Sequence, residues 1–183
     1  LANTGMGNWS IRAVVVNPVT PSIVYAGGGF FRSSDRGASW TSATSGLTNT
    51  GVNAIVVNPI TPTTLFVGTS GGVFRSDDEG ASWHWAGSGI STTYIYALVI
   101  DPIDPRIVYA GTDQGGVFKT IDNGLNWTQV ISGLTNLSVR VLAIDPISPS
   151  IVYAGTYSGV FRSTDGGANW SKPAGSVAAS ALA

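Results

Sequence analysis

Ten carboxylates and a single imidazole make up the acid–base inventory of this 183-residue chain. Four of the acids, Asp35, Asp78, Asp122 and Asp165, lie 43 or 44 residues apart. Each stands in one frame, with Ser or Thr two places before it, Gly two places after and Trp three beyond that; the tryptophans are Trp40, Trp83, Trp127 and Trp170. A short carboxylate in a turn accepts hydrogen bonds from nearby backbone N–H groups. The Gly permits a positive φ, and the Trp can bury ~150–250 Å² against a neighbouring unit. Residues that do one thing four times over serve the fold, so these eight read as structural. The remaining chemistry is thin. Asp113, in the run TDQGG, stands alone, whereas glycoside hydrolysis normally takes two carboxyls at a defined separation. Glu79 is the only Glu and falls in one of the repeated turns. His84, the only His, follows Trp83 where the other repeats have Thr41, Thr128 and Ser171, as an exposed strand residue would. No His, Asp or Glu cluster has metal-ligand spacing, and the Gly-Gly pairs lack the following helix and Lys of a phosphate loop. No metal and no cofactor is expected.

A constant period of this size means one supersecondary unit stacked repeatedly. Each unit opens with a β-branched run, residues 52–57 in the second, that stops at an Asx-Pro pair: Asn17-Pro18, Asn58-Pro59, Asp101-Pro102 and Asp145-Pro146. Proline fixes φ and lacks the N–H that a strand ladder needs. A second strand follows, at 23–27, 65–68, 107–111 and 151–155, then a Gly-rich turn, a third strand (GVFRS in the second unit), the Asp-bearing turn and a fourth strand near the Trp. Arg32, Arg75, Lys119 and Arg162 recur after the third-strand Phe and also read as structural. Four short antiparallel strands in about 43 residues without helical periodicity form one blade of a β-propeller. A WD40 unit has the same period, but its Gly-His and Trp-Asp signatures are missing. The expected fold is all-β: a segment at 1–175 of four blades (about 9–46, 47–89, 90–133 and 134–175) and a small, apolar, linker-like tail at 176–183.

The Ser/Thr-x-Asp-x-Gly-x-x-Trp frame, preceded by YAGT and GGVFRS, resembles the Asp-box (BNR) repeat family, over roughly residues 9–172. That family includes sialidases, xyloglucan hydrolases, sortilin-type receptors and photosystem assembly factors, so the resemblance implies the blade and leaves the activity open. TDQGG, after Tyr109, Ala110 and Gly111, looks like the TDxGG loop in which the xyloglucan hydrolases carry a catalytic Asp. The resemblance makes Asp113 the catalytic candidate of that alternative, although the partner acid of those enzymes lies in a second propeller and Gly111 stands where an Arg is usual. The sialidases need an arginine triad and a Tyr–Glu pair. Arg12 and Arg140 could share a channel here, but Glu79 lies on the wrong face.

In such a blade the loops between strands one and two and between three and four share one face, and those faces are nearly identical in every repeat. On the other face the repeats differ. Its loops carry Asp113 and Gln114, Tyr157, and the interblade Tyr94. The position six before the strand-ending proline varies as Arg12, Asn53, Tyr96 and Arg140, and enters the innermost strand near the channel mouth. A repeat protein varies where partners touch, so these residues are the ligand-binding candidates, for a protein or a glycan.

Charged residues are 10% of the chain and the net charge is −1, which gives no footing for nucleic acid. No apolar run approaches the ~18–20 residues of a membrane span. Absence of Cys with abundant Ser, Thr and Asn fits an exported bacterial protein, extracellular, surface-bound or periplasmic. The expected role is a non-catalytic binding or assembly scaffold. The alternative is a fragment of a carbohydrate-active enzyme. Asp-box propellers usually close with more than four blades, so the chain is expected to be part of a larger propeller or to pair with a second copy. An open array would expose the apolar strand at residues 11–16 and the region around Trp170.

Overall fold

The computed structural model describes residues 4–175. The tail expected at 176–183 lies outside the described residues. Every regular element is a strand. Blade 1 contains β1 (Val14–Val16), β2 (Val24–Ala26), β3 (Phe31–Ser33) and β4 (Thr41–Ser42). Blade 2 contains β5 (Val52–Val57), β6 (Leu65–Thr69), β7 (Gly72–Ser76) and β8 (His84–Trp85). Blade 3 contains β9 (Ile95–Ile100), β10 (Val108–Thr112), β11 (Val117–Thr120) and β12 (Thr128–Gln129), and blade 4 contains β13 (Val139–Ile144), β14 (Val152–Thr156) and β15 (Gly159–Ser163). Each sheet is an antiparallel meander in sequence order. Two details differ from the sequence reading. Blade 4 has three strands, its fourth reduced to a single bridge between Arg162 and Ser171. The first strand of blade 1 is only three residues long. Among the described residues no sheet precedes it, whereas β5, β9 and β13 each lie against the first strand of the preceding blade.

The Asx-Pro corners work as read. Asn58 Oδ1 accepts the backbone N–H groups of Ile60 and Thr61, both at 2.9 Å, and Asn17, Asp101 and Asp145 close the same turn in the other blades. The box turn is tighter. In blade 2 the Ser76 hydroxyl donates to Asp78 Oδ1 at 2.7 Å and accepts the Gly80 N–H at 2.9 Å. Asp78 in turn accepts the N–H of Ser82 at 2.8 Å and its hydroxyl at 2.5 Å. Asn126 and Asn169 supply the last bond through their side-chain amides in blades 3 and 4. These donors hold the Asp35, Asp78 and Asp165 carboxyls down at about 2. The box Gly is left-handed in all four copies, as expected, and so is the residue before it: Arg36, Glu79, Asn123 and Gly166.

That left-handed residue is where the next tie lands. Arg32 of blade 1 pairs with Glu79 of blade 2 at 2.6 Å, Arg75 donates to the Asn123 carbonyl at 3.0 Å, and Lys119 donates to the Gly166 carbonyl at 2.9 Å. The third-strand cation of each of blades 1, 2 and 3 therefore binds the box of the following blade. The box Trp points the other way. The indole N–H of Trp83 donates to the Ala43 carbonyl, that of Trp127 to Ala86 and that of Trp170 to Val130. All three rings are 4–5% exposed. Between blades, Val52, Ile55, Leu65, Phe74 and Trp83 close on Tyr25 and Phe30, and the pattern repeats twice along the array. Position 68 of β6 takes Gly because a Cβ there would lie 2.5 Å from the Ile95 side chain of the next inner strand.

The array ends in unequal faces. Val14 is 63% exposed where its blade 2 counterpart Ile55 is 8%. The expectation for Trp170 is corrected. It is buried, because the box Trp lies on the side of its blade that faces the preceding blade. The free side of blade 4 instead carries half-buried Tyr153 and Val160, the counterparts of Tyr25 and Phe30. At the other end, the Thr4 carbonyl accepts the Trp40 N–H at 2.9 Å, as Ser45, Ser88 and Ser132 do for Trp83, Trp127 and Trp170. Thr4, Gly5 and Met6 thus lie on blade 1 as an interblade segment lies on every later blade.

Two outcomes follow. Trp83→Ala should destabilise the chain by ~3–5 kcal/mol, while exposed His84→Ala stays within about 0.5 kcal/mol, both read from urea denaturation. The box carboxyls have depressed pKa values in the folded state, so their contribution is present above pH ~4 and fades as the pH falls towards 2. Asp78→Asn should therefore be less stable than the parent at pH 6, with the gap closing at pH 2 in paired urea melts.

Candidate functional site

The end of the array opposite the boxes is formed by the loops between second and third strands and by the interblade segments. There the inner strands are irregular. Val52 pairs with Thr69 and Ala54 with Gly68, so Asn53 is an extra residue in β5. Tyr96 is extra in β9 by the same register shift, and Arg140 in β13. A β-bulge of this kind re-aims one side chain without ending the strand. The three bulge residues and Arg12 occupy the variable position recognised in the sequence, and the bulge is the reason that the position tolerates Arg, Asn and Tyr alike.

The re-aimed side chains meet. Arg12 Nη1 donates to Asn53 Oδ1 at 2.7 Å and to the Tyr94 hydroxyl at 3.2 Å. The Asn53 amide then donates to the Ile95 carbonyl at 3.0 Å, which ties blade 2 to blade 3. The Tyr94 and Tyr96 rings are 4.7 Å apart. The Arg140 guanidinium lies over the Tyr96 ring at 4.2 Å and over the Tyr157 ring at 4.6 Å. Stacking of this kind uses the faces of a guanidinium and leaves its N–H edge free; Arg140 Nε is buried and has no hydrogen-bond partner among the described residues. Burial pushes the Tyr96 phenol up, and the Arg140 charge opposes that rise. Among the described residues neither Arg12 nor Arg140 is in an ion pair.

Asp113 lies at the edge of this network. Its N–H donates to the Tyr94 carbonyl at 3.0 Å and its carboxylate accepts the Ser138 hydroxyl at 3.2 Å. Gln114 stays outside: its side chain is exposed and its backbone left-handed, at φ 63°. The other nine acidic residues all occur in Asx-Pro corners or box turns, at the far end of the blades. Asp113 therefore has no second carboxylate on its own face.

Two recesses open here. A shallow groove of about 310 Å³ follows the inner strands and includes Ala13, Asn53, Tyr96 and Arg140 from all four blades. A second, of about 370 Å³, lies between blades 1 and 2, with Trp9, Arg12, Asn53 and Tyr94 on its walls. Trp9 was not among the sequence candidates. The signal was present, since Trp9 stands where the other interblade segments have Thr50, Thr93 and Leu137.

The BNR/Asp-box repeat family model matches residues 161–172. No curated protein matches the chain by sequence. Among solved structures, an ancestral GH74 enzyme is 26% identical with a TM-score of 0.81, covering 96% of this chain and 25% of its own. The GH74 xyloglucanase from Xanthomonas campestris is 20% identical with a TM-score of 0.80, covering 94% and 31%. YCF48 bound to D1 peptide is 14% identical with a TM-score of 0.68, covering 92% and 56%. The chain thus spans a quarter to a third of the GH74 structures that it matches.

Replacing Arg140 by Met keeps the aliphatic stem and removes the charge from both rings. Arg140→Met should cost about 1 kcal/mol of stability. It should also raise the Tyr96 phenol further, because the opposing cation is gone, as read by NMR titration of the tyrosine rings.

Proposed function

Since the chain is a segment of BNR/Asp-box β-propeller, we propose that it is a non-catalytic binding or assembly module, exported or surface-located, whose ligand sits on the variable loop face. One observation carries the reading: bulge residues of successive blades converge with Tyr94 and Tyr157 into a single contiguous surface, while all acids but Asp113 lie at the opposite end. A protein or glycan ligand laid across the mouth would touch every blade. YCF48, which has the same fold, is a structure with a bound peptide.

The open face of blade 1, with Val14 and Val16 exposed, has the chemistry of an interblade contact. Further blades or a second copy of the chain would cover it, since apolar patches of that kind are rarely left in water.

The rival reading is a fragment of a glycoside hydrolase, favoured by the TDQGG loop and by the likeness to GH74 enzymes. It assigns Asp113 a catalytic role and requires a second acid from elsewhere. Incubation of the chain with xyloglucan and with sialosides separates the two. The expected result is no release of sugar. Turnover that disappears in Asp113→Asn would overturn the binding-module reading.

A further inference from the structure

We propose that the recess between blades 1 and 2 binds the carboxylate-bearing sugar of an acidic polysaccharide; this rests on reading the variable face as a binding surface. The recess exists because the repeat is broken on both sides of it. Blade 2 has Gly51 where blade 3 has Tyr94, which leaves space, and blade 1 supplies Trp9 where later segments have Thr50, Thr93 and Leu137. The Trp9 ring is fixed edge-on by Phe31, with centroids 6.2 Å apart, yet is 50% exposed. A held, exposed indole is a platform for the C–H face of a pyranose ring. Asn8, Ser10 and Ser70 supply hydroxyl-matching donors and acceptors around it. A volume of about 370 Å³ suits one or two sugar units.

Arg12 sets the charge of the ligand. Its Nη1 is oriented by Asn53 and Tyr94, and the other guanidinium nitrogens make no hydrogen bond among the described residues. The only acid on this face, Asp113, is committed to Ser138, whereas Arg12, Arg140 and Lys172 all lie there, the last bonded to the Ser158 carbonyl. An oriented guanidinium without a carboxylate partner is matched by a carboxylate in the ligand, held by charge-assisted bonds. A planar platform ringed by small amides and hydroxyls favours a sugar over a peptide terminus, which would call for backbone partners along an edge.

The test is calorimetric titration of the whole chain with tetragalacturonate and tetramannuronate. Methyl-esterified tetragalacturonate, a neutral xylogluco-oligosaccharide and a hexapeptide with a free terminal carboxylate serve as comparison ligands. Binding of at least one uronate is expected, about tenfold or more weaker for the ester, as loss of a charged hydrogen bond predicts. Arg12→Gln should erase that preference while leaving the melt unchanged, and Trp9→Ala should weaken acid and ester alike. Equal binding of acid and ester, tighter binding of the peptide, or an Arg12→Gln variant that still prefers the acid would each overturn the proposal. If only the xylogluco-oligosaccharide binds, the carboxylate assignment fails and the binding-module reading stands. If none of the five binds, the assignment fails together with the glycan branch of that reading.

Discussion

Each blade after the first hangs on its predecessor by an indole. The box Trp donates its ring N–H to a carbonyl three residues after the preceding box Trp, and its backbone N–H to a carbonyl two residues further on. The ring is buried between those two bonds. Two bonds and a large apolar surface then fix both the distance and the angle between sheets, which a flat apolar contact alone would leave free to slide. The rest of the box serves this placement. Ser76, Asp78 and Gly80 use their hydrogen-bonding capacity inside the turn, so that Trp83 leaves it in one direction. A carboxylate held in this way, with its pKa pulled down to about 2, stays ionised at neutral pH and has no proton to offer as a general acid.

Anchoring one end of the blades leaves the other end free to vary. The box end is tied twice per interface, by the Trp reaching back and by the third-strand cation reaching forward. The mouth end needs neither tie, and there the inner strands accommodate an extra residue. The bulges at Asn53, Tyr96 and Arg140 share one geometry with three different side chains. The scaffold thus presents a position that can change in identity without changing in place, as a binding surface on a repeat fold requires.

The strands, the box and the Asx-Pro corners were legible in the sequence because each is a local pattern repeated four times. The left-handed residue inside the box was not. Arg36, Glu79, Asn123 and Gly166 have nothing in common as residue types, and only the surrounding hydrogen bonds impose their φ. The reach of Arg32 to Glu79 was hidden for a related reason, since a pair 47 residues apart leaves no local trace. Trp170 was assigned to the wrong side because a sequence states that a ring is apolar and not which neighbour it faces. Comparison of the repeats did locate the bulge position, although not the bulge itself. Trp9 stands out from Thr50, Thr93 and Leu137 at its position, but the residue type alone does not state that its ring is held half-exposed at a recess.

The net charge of −1 conceals a separation across the thickness of the propeller. Nine of the ten acids are at the box end, and four of them, Asp35, Asp78, Asp122 and Asp165, are kept ionised by bonds from their own turns. The mouth end has three cations against Asp113. Structural demand alone produces the first half of this pattern, since a box needs its Asp and a corner its Asx. Nothing in the fold demands the second half, because Asn53 and Tyr96 fill the same bulge as Arg140 without a charge. Across one blade thickness such a separation acts over little more than a Debye length of ~8–10 Å. An anion approaching the mouth is then drawn in by local charge and screened from the opposite end. The bulge position itself does not demand an arginine, and recognition of an anion, as proposed for the recess, would account for the charge at Arg12 and Arg140.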